Sequence, residues 1–171
     1  MTATDIEGLK AIRAAIKGGD ADAVLSLISQ RPARLSMETP FGSWLHVAAS
    51  SGQLDVVTTL VALGLDVNVR AGILGGAPVN EAASGGHQAV VEFLLSRGAT
   101  LDVSAPERNP LFGAIYGGHL EIARLLLHSG IDFKIRYSGK SMKEMGAYEF
   151  AVERGQSEMA ALLKDWERMH G

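Results

Sequence analysis

The stretch 110-PLFGAIYGGHLEIARLLLHSG-130 recurs along the chain in variant form, and the spacing of its copies decides the fold. Close versions are 78-PVNEAASGGHQAVVEFLLSRGA-99 and 45-LHVAASSGQLDVV-57, the latter running on to 64-GLDVN-68. The anchor of each copy is a glycine that closes a short helix: Gly52, Gly86, Gly118 and Gly155, separated by 34, 32 and 37 residues. Seven residues before it stands Leu45, Val79, Leu111 or Tyr148, and four before it Ala48, Ala82, Ala114 or Ala151. Eight after it comes Leu60, Leu94, Leu126 or Leu163. A second glycine follows at Gly64, Gly98 and Gly130, and a fainter copy surrounds Gly19. Self-similarity at a period near 33 residues is the mark of a stacked repeat array.

Each unit reads as an inner helix of about nine residues and an outer one of about ten, too short to hold alone in water. Paired alanines at Ala48-Ala49 and Ala82-Ala83 let neighbouring helices approach closely, and the phased leucines fill the layers between them. Gly52, Gly86 and Gly118 fit the position after a helix, where left-handed backbone carries no penalty for glycine. The phased segments resemble ankyrin repeats, most closely over residues 38 to 133. The departures are local: Ser43-Trp44 stands where the family has Thr-Pro, and Asn80 and Phe112 where it has histidine. The resemblance implies an all-α solenoid of helix pairs joined by short β-hairpins. The expected organisation is one domain over residues 1–171: a capping repeat at 5–37, repeats at 38–70, 71–103 and 104–136, and a closing repeat at 137–169. In the first cap Lys10, Arg13 and Lys17 are expected on the solvent side. In the last, Tyr148, Phe150, Ala151, Met159, Leu162 and Leu163 are expected inward.

Composition agrees with one elongated domain. Its 171 residues are 47% hydrophobic, enough for a core. A net charge of −3 argues against binding that works by neutralising nucleic-acid phosphates. With no cysteine there are no disulfides or cysteine-based zinc sites. The N-terminal stretch reads as an amphipathic helix and not as a signal peptide, and no apolar run approaches the ~18 to 20 residues of a membrane span. The expectation is a cytoplasmic protein, monomeric when free, with no cofactor and no partner among nucleic acids or membranes.

No catalytic constellation emerges. His87 and His119 both follow the helix-ending glycine, and His46 lies in the family's TPLH slot, so hydrogen bonding in loops and between repeats is the expected role. His128 falls in a polar outer-helix slot and His170 in a tail expected to fray. Gly139-Lys140-Ser141 echoes the end of a phosphate-binding loop, but Lys134 stands where that loop needs glycine. The chain is not expected to be an enzyme.

What remains is surface. In ankyrin repeats the variable positions on hairpin tips and on the exposed side of the inner helices line a protein-binding face. Carried over, the tips are Phe41, Arg70 with Ile73 and Leu74, Arg108, and the loop with Arg136, Tyr137, Lys140 and Lys143. The inner-helix positions include Phe112, Tyr116 and Arg154. Trp44 has two readings, packing against Phe41 or the first repeat, or a partly exposed anchor. Ile73-Leu74 either cover a neighbouring tip or meet a partner. The long final spacing places about four extra residues in 134-KIRYSGKSMKEM-145, either as a spacer or as a basic rim.

Two functional classes follow. One is a dedicated module that binds and inhibits or sequesters a single protein. The closing segment 137-YSGKSMKEMGAYEFAVERGQSEMAALL-163 is similar to the last repeat of small bacterial ankyrin proteins, which implies an immunity protein whose partner is a toxin or effector. The other is a scaffold or regulatory adaptor.

Overall fold

The computed structural model describes residues 3–139 and 143–171. Its helices run α1 (Ala3–Gly18), α2 (Ala21–Ser29), α3 (Trp44–Ser50), α4 (Leu54–Ala62), α5 (Pro78–Gly85), α6 (Gln88–Ser96), α7 (Pro110–Gly117), α8 (Leu120–His128), α9 (Ala147–Glu153) and α10 (Ser157–His170). The odd-numbered helices stack in chain order as an inner row, the even-numbered ones as an outer row. Between pairs lie hairpins whose only strand-like pairing among the described residues is isolated antiparallel bridges, at Thr39 with Gly42, Ala71 with Gly76 and Tyr137 with Met145. The expected all-α stack of helix pairs is what forms.

Local chemistry sets the helix ends. Pro78 and Pro110 open α5 and α7, where a missing N–H costs nothing. Gly52 and Gly86 turn the chain between inner and outer helix with φ of 70° and 80°. Each turn also receives a side chain from the next unit. The residue after every such glycine reaches back to a carbonyl near the end of the preceding inner helix. Gln53 Nε2 donates to Lys17 O (3.2 Å), His87 Nε2 to Ser50 O (3.0 Å), His119 Nε2 to Ser84 O (3.1 Å) and Gln156 Nε2 to Ile115 O (2.7 Å). A Cβ on Gly52 would run into His87, and one on Gly86 into His119. These glycines are therefore required twice, by backbone and by space.

The core lies between the rows. Leu60, Leu94 and Leu126 are fully buried, as are Ala48, Ala49, Ala82, Ala83 and Ala114. Outer connections add a second link: Asn68 Nδ2 donates to Gly98 O (3.0 Å) and its Oδ1 accepts from Thr100 N (2.7 Å).

Several expectations change. Trp44 is only 1% exposed and its Nε1 donates to Arg34 O at 2.8 Å, so it packs on the first unit and offers no exposed anchor. Tyr148 was expected inward but is 39% exposed, because no described helix pair packs beyond α9 and α10. Arg13 is half-buried, its guanidinium 4.5 Å from the Phe41 ring, and does not simply face solvent. His170 belongs to the last turn of α10, stacked 4.1 Å from Trp166, whose ring also meets the edge of His128 at 4.7 Å. In the last unit Tyr137 bridges to Met145, eight positions on, where Ala71 bridges to Gly76, five positions on. Lys140 lies outside the described residues.

Leu94→Ala and Leu126→Ala should each lower unfolding free energy by about 2–5 kcal/mol, measured by denaturant titration. A paired comparison isolates the glycine argument. Gly98 has left-handed backbone like Gly86, with φ of 84° against 80°, but open space around it. Gly98→Ala should cost about 1–2 kcal/mol for the backbone alone. Gly86→Ala should cost clearly more, since His119 must also give up Ser84.

Candidate protein-binding groove

The TPLH slot of each unit reaches the next hairpin. His46 Nδ1 accepts from the Ser43 N–H at 3.2 Å, which leaves Nε2 as the protonated nitrogen donating to Gly76 O at 3.0 Å. Asn80 Nδ2 donates to Glu107 O at 2.9 Å, one unit further on. Phe112 continues the row with rings, edge-on to Tyr137 and stacked on Phe150, each at 5.0 Å. These clasps hold the hairpin tips over the inner helices and leave a groove between them.

The groove consists of two clefts that share Leu74 and Glu81. The first, about 530 Å³, runs from Arg13 and Lys17 under Phe41 to Ile73. The second, about 370 Å³, lies between Glu81 and Ser84 on α5 and Phe112 and Tyr116 on α7. Along it, side chains that burial would favour stand in water: Phe41 is 59% exposed, Ile73 91%, Leu74 57% and Tyr116 60%.

Of the residues expected at a contact surface, Phe41, Ile73, Leu74 and Tyr116 do line this groove. Arg154 stands beside it, its guanidinium 4.4 Å from the Tyr116 ring and its Nη2 donating to Tyr116 O at 3.4 Å. Arg108 donates from Nε to Leu74 O at 3.2 Å, so it braces the 70–76 hairpin. Tyr137 lies in the core, and Phe112, nearly buried, still presents its ring to the second cleft. Phe112 is 3% and Tyr137 9% exposed, and the Tyr137 hydroxyl accepts from Asn109 Nδ2 and donates to Val103 O, both at 2.9 Å. Arg70 is paired with Asp102 (2.9 Å) and Arg136 with Glu149 (2.7 Å), while Lys143 is exposed in the last hairpin.

The sequence reading missed Glu81 and Gly113. Both fall five residues before the helix-ending glycine, the slot of Val47 and Phe150 in other units. That phase was available, but comparing what the slot holds from unit to unit was needed to find them. Glu81 is half-buried, and burial pushes its carboxyl above the ordinary glutamate value. Burial likewise pushes the His46 imidazole down, against the opposing effects of its bond to Gly76 and the charge of Glu38. Among the described residues, no three His, Cys, Asp or Glu gather to hold a metal. No helix among them is long and apolar enough to cross a membrane.

A family model described as ankyrin repeats (three copies) matches residues 45–137. A Rickettsia felis protein described as an ankyrin repeat protein is 30% identical over 129 residues, covering 65% of this chain and 57% of its own. A protein of Oryza sativa subsp. japonica described as an E3 ubiquitin-protein ligase is 37% identical over 118 residues, covering 66% of this chain but 22% of its own. Human protein phosphatase 1 regulatory subunit 27 is 34% identical over 90 residues, covering 52% of this chain and 58% of its own. The chain thus spans little more than half, or much less, of the length of these relatives.

His46 should make stability depend on pH. Its folded value is depressed, so its contribution is full above the ordinary histidine range and is lost as pH falls through that range toward the folded value. Wild type should weaken between about pH 8 and pH 5 more than His46→Asn, which keeps an amide donor, when unfolding midpoints are compared.

Proposed function

Because this chain belongs to the ankyrin repeat family, whose repeats are protein–protein interaction modules, we propose that it binds one protein along the groove and thereby restrains that protein's activity. The observation that carries the reading is the row Phe41, Ile73, Leu74 and Tyr116, large apolar side chains left exposed along one continuous depression. Apolar surface of this kind, edged by polar residues, marks interaction sites, and tyrosine is among the residues that dominate binding energy.

Restraint of a partner draws on the likeness to protein phosphatase 1 regulatory subunit 27, by its name a regulatory subunit of an enzyme. The similarity of the closing segment to small bacterial ankyrin proteins extends this to an immunity function against a toxin or effector, acting in the cytoplasm. Lys143 and the neighbouring basic positions of the last hairpin would then steer association from the rim. A second reading, an adaptor joining two proteins, draws on a separate exposed apolar patch. Tyr148 (39% exposed) and Val152 (53%) face out from α9 beside Ala160 and Ala161, away from the groove.

The test is affinity purification from the native organism, with partners identified by mass spectrometry and then assayed with and without stoichiometric amounts of this protein. Loss of the partner's activity supports restraint; an active partner in a ternary complex supports the adaptor. Tyr116→Ala should weaken the partner's binding by more than about 1 kcal/mol while the melting temperature stays at the wild-type value. Full affinity in that variant counts against the groove.

A further inference from the structure

The cleft between α5 and α7 has a composition that selects its guest. Gly113 contributes no side chain to the floor, so the space opens between Glu81 and Ser84 on one wall and Phe112, Tyr116 and Phe150 on the other. Three of its polar features are acceptors. The Glu81 carboxylate has neither hydrogen bond nor ion pair among the described residues, and burial raises its pKa. Asn80 spends its Nδ2 on Glu107 O, while its Oδ1 is buried without a donor. Glu107 completes the rim. The nearby arginines are engaged elsewhere, Arg108 on Leu74 O and Arg154 over the outer side of the cleft at Tyr116.

We propose that this cleft receives a basic side chain, lysine or arginine, from the partner segment lying along the groove, its aliphatic stem against Phe112, Tyr116 and Phe150 and its charged head at Glu81. The proposal rests on the groove reading above and adds the chemistry of what fills it. A partner closing over Glu81 strips the remaining water from an unpaired carboxylate, which is strongly unfavourable unless a cation arrives with it. A lysine or arginine supplies that cation and also offers apolar stem to the aromatic wall. Its head gains further from the ring faces. An acidic or wholly apolar guest would leave Glu81 stranded, so the same residue that attracts one class of partner rejects others.

The test selects phage-displayed random dodecapeptides on the immobilised protein, then measures synthetic versions of the enriched sequences by titration calorimetry. The expected result is enrichment of a lysine or arginine flanked by large apolar residues. Affinity should fall at least tenfold with Tyr116→Ala, with Glu81→Gln, or when the basic residue is replaced by norleucine or citrulline. The neutral peptide should lose little more on Glu81→Gln, because the interaction is already gone. Peptides that depend on Tyr116 but carry no basic residue and ignore Glu81→Gln would overturn the proposal while leaving the groove as a binding surface. Selection yielding no peptide sensitive to Tyr116→Ala or Leu74→Ala would overturn the proposal and the groove reading together.

Folding of Glu81→Gln is checked independently. A carboxyl with a raised folded pKa loses stability for the protein as pH rises from the ordinary glutamate range toward the folded value. The neutral amide removes that loss, so Glu81→Gln should melt at or above the wild-type temperature at neutral pH.

Discussion

A single hydrogen bond, repeated at every junction, fixes the register of the stack. The side chain just after each helix-ending glycine crosses to the preceding unit and donates to a carbonyl near the end of its inner helix, from Gln53, His87, His119 and Gln156 in turn. Those carbonyls lie among the last of their helix, where intrahelical donors have run out. One bond thus caps one helix and ties two units, and the glycine beneath it keeps the room for it. Sliding one unit against the next by a residue would leave carbonyl, donor and glycine mismatched together. This explains why histidine and glutamine alternate freely in the slot: any side chain with a donor at that reach will serve. It also accounts for His87 and His119 without any catalytic or metal-binding role.

The clasp between each inner helix and the following hairpin varies far more, and that variation shapes the surface. His46 and Asn80 use polar donors on Gly76 and Glu107. Phe112 uses packing, with Tyr137 and Phe150 around it. Where the clasp becomes aromatic, the adjacent inner-helix position shrinks to Gly113, and an apolar cleft opens at that point in the groove. The functional depression is therefore a by-product of how one junction is held.

The helix pairs, their order and their internal leucines and alanines were legible in the sequence because each repeats in phase, and repetition averages away the idiosyncrasy of any one unit. Exposure was less legible, because it depends on what stands opposite in another unit. The slot of Trp44 left packing and an exposed anchor both open, and a carbonyl at Arg34 that takes its indole N–H decides for packing on the first unit. Tyr148 shares the phase of Leu45, Val79 and Leu111, all buried, but has no described unit beyond it and stays partly exposed. Tyr137 was assigned to contact by position, but its ring meets Phe112 and its hydroxyl is spent on Asn109 and Val103, while Phe112, nearly buried, still lines the second cleft. Ile73, Leu74, Phe41 and Tyr116 are exposed along the groove because hairpin tips and the ends of inner helices have no neighbour to cover them.

Charge along the rim follows from the same economy of neighbours. Arg70 and Arg136 looked available to a partner, but each meets a carboxylate of the following unit, Asp102 or Glu149. The Arg136–Glu149 pair is exposed on both sides, and such pairs contribute little stability, on the order of 0–1 kcal/mol. Their larger consequence is that both cations are already compensated when a partner arrives. Discrimination must then come from polar groups the fold leaves unanswered, and inside the second cleft those are the Glu81 carboxylate and the Asn80 Oδ1. A buried group without a partner, such as the Asn80 Oδ1, is costly to keep, and the half-buried Glu81 carboxylate retains only part of its water. Within the second cleft, those two acceptors are where a partner can supply what the chain does not.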